Sequence, residues 1–356
     1  MTQAILVLPH LRIQNANAIG SPLTHGFPSI TAFIGLMWAL ERKLAQAGVP
    51  LRLHGVGVVC HQHQEQTTQG YVRSFNLTRN PVDKDGSTAA IVEEGRMHLQ
   101  ITLVLSVSEK RSPGVPAALV QGNEALKDWA KKADDTVAAM RVAGGSVLPS
   151  RPAPGQRVHP WMAVVPDDPE AAAKAFRRWR RQWLPGFALV GRDDLLAQRL
   201  QHLRSTQPKA TLLDAWLHAA RFNHQALANE DGSYPPDGKV QWDDPLRAKG
   251  SGWIVPIPVG YAALENTAHP AGRVRNARDA SVPLRFVESV YSLGQWIGPH
   301  RLHSLQELLW HAQTDVALGL YRCRSGYAPP VQDGAHSLRS TAPSYAWDDD
   351  EAYDYT

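Results

Sequence analysis

The chain is poor in the residues that announce covalent chemistry or metal binding. Only two cysteines, Cys60 and Cys323, stand in its 356 residues. Two thiols build neither a disulfide framework nor a zinc set, and a reducing cytoplasm is the expected compartment. No apolar run approaches the roughly 18 residues a membrane helix needs, so no membrane partner is expected. The N-terminus lacks the charged start and small-residue cleavage site of a signal peptide. No Gly-Lys-Ser/Thr phosphate loop occurs, and Gly55-Val-Gly57-Val-Val-Cys60 lacks the third glycine of a dinucleotide loop. Glu93 and Glu94 are adjacent, so on regular structure they diverge. His61 and His63 would share one strand face, but no further ligand lies at the spacing a metal requires. Neither a metal nor a cofactor is expected. A histidine-based RNA nuclease needs only one His with a Lys or Tyr, and among fifteen histidines none is singled out. Internal repeats and heptads are absent as well.

What is present describes a globular protein with a basic body. A hydrophobic fraction of 43% with 20% charged residues is ordinary, and 356 residues suffice for two or three cores. The net charge of +4 conceals Asp348, Asp349, Asp350, Glu351 and Asp354 near the end; without these five the rest carries +9. A basic body suits an anionic partner, and the acidic tail, about 329–356, has the composition of disorder.

The pattern predicts an α+β protein. Ala4 to Ile13 reads as a buried strand, and Phe33, Leu36, Met37, Leu40 and Leu44 recur at helical spacing up to Gly48. Gly55 to His63 is a valine-rich strand. A polar excursion, Gln64 to Arg96, contains the Asp85-Gly86 turn signal. His98 to Val107 alternates as a half-buried strand, Asn123 to Val142 carries a helical stripe, and Trp161 to Val165 is a fourth strand. The order β-α-β-β-α-β is that of a modified RRM or ferredoxin-like core, here 1–166 with a long insertion at about 64–97. Residues 167–328 read as a mixed, partly helical α+β region. Ala171 to Leu184 is its first helix, Trp253 to Val259 an edge strand, and Leu284 to Trp296 and Leu302 to His311 closing helices.

Polar stretches supply the candidate site. Arg12, Gln14, Asn15, Asn17, His25 and an exposed-looking Phe27 fall between the first strand and first helix. Amides and guanidiniums beside an aromatic suit nucleotide edges and faces, and equally a capped βα connection. Lys174, Arg177, Arg178 and Arg181 form a helical row suited to phosphates or to solvent, with Trp179 and Trp183 facing inward. Arg273, Arg275, Asn276 and Arg278, with Arg285 nearby, can fork onto phosphates or pair with Asp279 and Glu288. Arg141 precedes Gly144-Gly145-Ser146, which is either an amide cradle for phosphate or a helix C-cap. Arg79, Asn80 and Arg96 lie in the polar excursion. Together these lean toward single-stranded RNA.

Several of these stretches, read whole, resemble one family. They are Ile13-Gln-Asn-Ala-Asn-Ala-Ile, Ser21-Pro-Leu-Thr-His-Gly-Phe-Pro, Phe75-Asn-Leu-Thr-Arg-Asn-Pro and the run Asp85 to Arg96. Met140-Arg-Val-Ala-Gly-Gly-Ser, Leu184-Pro-Gly-Phe-Ala-Leu-Val, Val255-Pro-Ile-Pro, Val274-Arg-Asn-Ala-Arg-Asp and Pro283 to Glu288 complete the set. The resemblance is to the Cas-five-type (Csy-two) subunit of the type I-F CRISPR surveillance (Cascade, or Csy) complex, and it runs to about Arg324. It implies a noncatalytic RNA-binding subunit on an RRM-like core that grips the 5′ handle of the CRISPR RNA. It further implies pairing with the large, Cas-eight-type subunit and contact with the backbone, Cas-seven-type subunit. Target DNA is then met through the complex, and residues about 64–97 form a thumb over the guide. An RNA-processing enzyme and a purely structural adaptor are the rival readings.

Overall fold

A computed structural model of the chain describes residues 3–79, 82, 85–88, 91–110, 123–228, 232–234, 240–244 and 252–329. Asn80 and the acidic tail lie outside the described residues. The first strand, β1 (Ala4–Asn17), runs past Ile13 into the stretch expected to be a connection. It does so because Ile13 and Ala16 are buried while Gln14, Asn15 and Asn17 point out, an alternation interrupted by a bulge between Ile13 and Ala16. A small hairpin, β2 (Ile19–Ser21) with β3 (Thr24–His25), leads to α1 (Ile30–Gln46). Ser29 caps that helix by accepting the Thr31 N–H, and Phe33, Ile34, Met37, Leu40 and Leu44 form its buried stripe. After Gly48 the chain returns as β4 (Leu51–Glu65).

The polar excursion is built of four short strands. β5 (Thr67–Gln69) pairs with β6 (Arg73–Phe75), and β7 (Leu77–Arg79) pairs with β8 (Ile91–Glu93). β9 (Arg96–Glu109) then lies antiparallel to both β1 and β4. α2 (Asn123–Ala138) ends earlier than expected, because Arg141 and Val142 form β10 of a tight hairpin with β11 (Gly145–Leu148). β12 (Trp161–Val164) pairs with β1, giving the antiparallel order β12-β1-β9-β4. Side chains of α1 and α2 pack on one face of these strands with Leu6, Leu8, Ile101 and Leu103.

The opposite face is half covered. α3 (Pro169–Arg180) and the 3-10 turn Arg181–Trp183 bury Phe176, Trp179 and Trp183 against Ile5, Val7, Val59 and Val104. β13 (Phe187–Gly191) follows, then α4 (Asp193–Thr206), α5 (Leu212–Ala219) and the small pair β14 (Gln225–Ala226) and β15 (Trp242–Asp243). β16 (Trp253–Ala263), β17 (Val287–Ile297), α6 (Leu305–Leu308), β18 (Trp310–Asp315) and β19 (Leu320–Ser325) complete the described chain. Pairing runs β4-β13-β17-β16-β19-β18 and returns from Trp310 of β18 to Val56 of β4, so six strands close a circuit through β4.

Two sequence expectations need correction. Leu284 to Trp296 is not a helix; its second half, from Ser292 to Ile297, is buried on both faces, Ser292 and Gln295 included, so no period-two alternation marks it as a strand. Within Leu302 to His311 only Leu305–Leu308 is helical, since the Trp310 indole N–H donates to Leu189 O at 2.8 Å and draws the chain into β18. Trp253 to Val259 is the edge strand expected: among the described residues it pairs with β17 alone, pairing with β19 begins only at Gly260, and Pro256 and Pro258 withhold no N–H from a partner on the free side.

Glycines 55 and 57 are packing residues. A Cβ on Gly55 would stand 2.6 Å from His311 Cε1, and one on Gly57 would overlap the Leu308 side chain. Gly57→Ala is therefore expected to cost ~1–3 kcal/mol by overpacking, and Leu308→Ala in the same chain to cost less than in the parent. Gly35→Ala, on the exposed side of α1 with nothing within 4 Å, should instead stabilise by ~0.5–1 kcal/mol. Denaturant unfolding of the three single variants and the double variant checks both signs.

Candidate nucleic-acid interface

Beyond the edge of α3, the half of the sheet face that no described helix covers is polar. On β1, Arg12 and Gln14 alternate with buried Leu11 and Ile13. On β9, His98 and Gln100 alternate with buried Leu99 and Ile101, and on β4 the partners of Gln100 and His98 are Gln62 and Gln64. Alternation thus places an amide-rich row on the side opposite α1 and α2. Ser146 of β11 lies beside Gln14, and Arg141 of β10 lies beside Ser146, so Gln14, Ser146 and Arg141 form one rank across three strands. The Arg141 guanidinium donates to Ser146 Oγ, and Arg12 Nη1 donates to Pro149 O at 2.9 Å.

The glycines make this rank possible. Ala143 (φ 48°) and Gly144 (φ 82°) are the two central residues of the hairpin turn, the left-handed pair that a type I′ turn requires. Gly144-Gly145 is thus neither a helix C-cap nor an open cradle. A Cβ on Gly145 would stand 2.6 Å from Ile13 Cγ2 and 2.7 Å from Gln14 O, so a larger residue would push the hairpin off β1.

Other predicted residues take structural places around this face. Asn15 sits in the β1 bulge at φ 58°, its N–H donating to His98 Nδ1 at 3.2 Å. Asn17 folds on its own turn, donating to Ile19 O and accepting the Ile19 N–H. His25 meets Glu65 at 3.2 Å, and Arg96 pairs with Glu94 at 2.9 Å. Phe27 is not exposed: it stacks on Phe33 and abuts the edge of Trp296. Arg79 closes β7.

The arginine loop stands apart. Side chains of Arg273, Arg275 and Arg278 are exposed and make no hydrogen bond or ion pair among the described residues. Asp279 accepts from Ser281 and Glu288 from the Ser289 N–H, so the alternative of an arginine network does not form through them. Asn276 holds the loop at φ 60°. Arg285 is half-buried, with Nη1 unpartnered among the described residues. β16 begins at Trp253, whose ring lies 6.0 Å from His63, and ends at Ala263, where the loop starts. At ~3.3 Å per residue the loop is about 35 Å along the strand from that contact. The structure therefore brings Arg12, Gln14, Arg141 and Ser146 together and leaves Arg273 to Arg278 separate.

At the border between covered and open face lies a histidine pair absent from the predicted site. The rings of His10 and His61 are 4.0 Å apart. His61 Nδ1–H donates to Pro185 O at 2.6 Å, Thr102 Oγ1–H donates to His61 Nε2 at 2.8 Å, and the His10 N–H donates to Thr102 Oγ1 at 3.2 Å. The Gln156 amide donates to His10 Nδ1 at 3.0 Å, so both rings are held neutral. Burial, reinforced by His61, pushes His10 down to about 4, and burial also lowers His61. His61 and His63 do not share a face, because the bulge between Cys60 and Gln62 sends His61 toward His10 and His63 toward Trp253. Burial pushes the Cys60 thiol up to about 12 and Cys323 up to about 11, so neither is a thiolate at neutral pH. The alternating His98-Leu99-Gln100-Ile101-Thr102 run carried the signal for the missed amide row.

The unfolded chain binds a proton at His10 near pH 6.5, whereas the folded chain does so near 4. Stability held above pH 6.5 is therefore lost as pH falls toward 4. The unfolding midpoint should drop over that window in the parent and drop less in a His10→Leu variant. Superimposable pH profiles would count against the buried neutral pair.

Residues 6–323 match the family described as CRISPR-associated protein (Cas_Csy2). The chain is also similar to the CRISPR-associated protein Csy2 of Pseudomonas aeruginosa (strain UCBPP-PA14). The two are 45% identical over 329 residues, which cover 90% of this chain and 94% of that protein.

Proposed function

The chain belongs to the Csy2 family of CRISPR-associated proteins, and we propose that it is a noncatalytic RNA-binding subunit gripping the 5′ handle of the CRISPR RNA. Csy2 is a subunit of the type I-F complex of antiviral defence. The observation that carries the RNA reading is the open, amide-rich half of the sheet face with Arg12, Gln14, Ser146 and Arg141 ranked across it. Strand order β12-β1-β9-β4 with α1 and α2 on one side supports a modified RRM-like core, in which the half of the opposite face that α3 leaves open is the side that receives single-stranded RNA.

The chemistry differs from an aromatic stacking platform. Gln14, Gln62, Gln64 and Gln100 present paired donors and acceptors to base edges, and Arg12 and Arg141 supply charge for phosphates. A fixed handle sequence suits such a surface, because amides misaligned with the wrong base lose their partners. The four strands β5–β8 within 64–97 stand as the thumb over the guide, with 1–166 as the RNA-binding unit. Arg273, Arg275 and Arg278 form a second, phosphate-directed contact. Exposed Leu212, Leu213 and Leu217 on α5 favour burial against another subunit, such as the large Cas-eight-type subunit or a backbone Cas-seven-type subunit. Holding one RNA end fixes the register of the guide, and base pairing then reads the target DNA.

Two variants separate the surfaces. Gln14→Ala with Gln62→Ala should weaken binding of handle RNA roughly tenfold while hardly changing binding of a scrambled strand, since only base-edge contacts carry sequence. Arg275→Ala with Arg278→Ala should weaken both alike and reduce the salt slope by about 1.4, at ~0.7 per single-strand phosphate contact. Titrations at several salt concentrations read both quantities. Unchanged affinity in both folded variants would leave the adaptor reading, and site-specific cleavage of repeat RNA would leave the processing enzyme.

A further inference from the structure

The outer face of α3 carries an unpaired cationic row that the sheet site does not use. Lys174, Arg177, Arg178 and Arg181 are all exposed, and none has a hydrogen bond or ion pair among the described residues. Their spacing of three, four and seven places them on one side of the helix, around a shallow depression floored by Ala171 and Ala175. The inner side is fixed by Phe176 and Trp179 in the core, and Arg180 is tied to Leu302 O, so the row cannot rotate inward. Four adjacent cations repel one another, and the helix C-terminus offsets only part of that repulsion.

The chain contains a complementary segment. Asp348, Asp349, Asp350, Glu351 and Asp354 lie among Tyr345, Trp347, Tyr353 and Tyr355. This segment falls beyond 6–323, the stretch that matches the family. The described chain also ends beside α3. After β19, the Gly326 N–H donates to Leu309 O, and Tyr327 packs into the cluster that contains Phe176, Trp179 and Trp183. From residue 329 to Asp348 the chain can extend about 60 Å, and a coil of that length averages ~25 Å end to end. A helix is only ~10 Å across, so its outer face is within reach. A tether of this length holds the acids at roughly millimolar effective concentration. Guanidiniums additionally stack on aromatic rings, which this segment supplies between its carboxylates.

We propose that the acidic C-terminal segment, residues 345–355, docks on the Lys174–Arg177–Arg178–Arg181 face of α3 and shields it from other polyanions. The occupant is the chain itself, acting as a mimic of a phosphate backbone. Lys174 is the one amine in the row, so it alone can form an amide with a tail carboxylate under a carbodiimide.

The test uses the full-length chain. Carbodiimide treatment at low salt, followed by peptide mass mapping, should join Lys174 to a residue within Asp348–Asp354, and 0.5 M salt should abolish the link. A tail variant with Asp348→Asn, Asp349→Asn, Asp350→Asn, Glu351→Gln and Asp354→Asn should bind a fluorescent twenty-nucleotide oligothymidine about five- to tenfold more tightly than the parent. Adding Lys174→Gln, Arg177→Gln, Arg178→Gln and Arg181→Gln should return that affinity to the parent value. The idea fails if no Lys174 link forms, or if the tail variant binds like the parent. It fails equally if the gain survives loss of the α3 row, which would place the polyanion on another surface, the sheet site included.

Discussion

Both strand layers of the described chain are fastened to β4. One edge of that strand pairs with β9 from Leu51 to Glu65, which makes it part of the β12-β1-β9-β4 layer. Its other edge takes β13 at Val59 and Cys60 and β18 at Val56, which makes it part of the closed six-strand circuit. The strand serves both because Gly55 and Gly57 leave room for His311 and Leu308, and because Trp310, buried to 1% exposure, ties β18 to β13. A β4 with ordinary side chains at those two places would hold only the first layer.

The same arrangement divides one sheet face into two environments. Where Ile5, Val7, Val59 and Val104 emerge, α3 must cover them, since their burial is worth ~2 kcal/mol each. Two residues farther along the strands, Thr102, His61 and His10 form a hydrogen-bond chain that ends on Pro185 O, and beyond it Gln14 is exposed and Gln100 and His98 half-buried. The histidine pair thus works as a margin: apolar enough to sit under Pro185 when neutral, polar enough to meet the open amides. Charge follows the same division, with Arg12 and Arg141 held at the open end and Lys174 to Arg181 on the back of the lid.

Much of the first half was legible. α1 and α2 announce themselves by period, because each buries one face only, while β1, β4, β9 and β12 read as apolar or alternating runs of strand length between polar stretches. The second half was not, for two physical reasons. β17 is buried on both sides over its last six residues, which erases the alternation. α6 is a single turn whose context comes from Trp310, two residues past its end, bonding to a strand 121 residues away. For the site, Arg141, Ser146 and Gln14 were found by residue type, but their alignment depends on a register that one bulge sets. Phe27 was misplaced because its partner Trp296 lies 269 positions downstream. The amides of β4 were passed over because the bulge after Cys60 shifts which residues face out.

The doubly used strand has a consequence for how the chain is made. β4 leaves the ribosome long before β13 and longer still before β18, whose Trp310 closes the circuit. At ~5–20 residues per second, 245 residues of synthesis separate Glu65 from Trp310, so one edge of a valine-rich strand waits on the order of 10–50 s for its last neighbour. An unpaired edge of that kind recruits any other strand it meets. The glycines that admit Leu308 and His311 also weaken the strand's own propensity, keeping the waiting edge a poor template until its intended partner arrives.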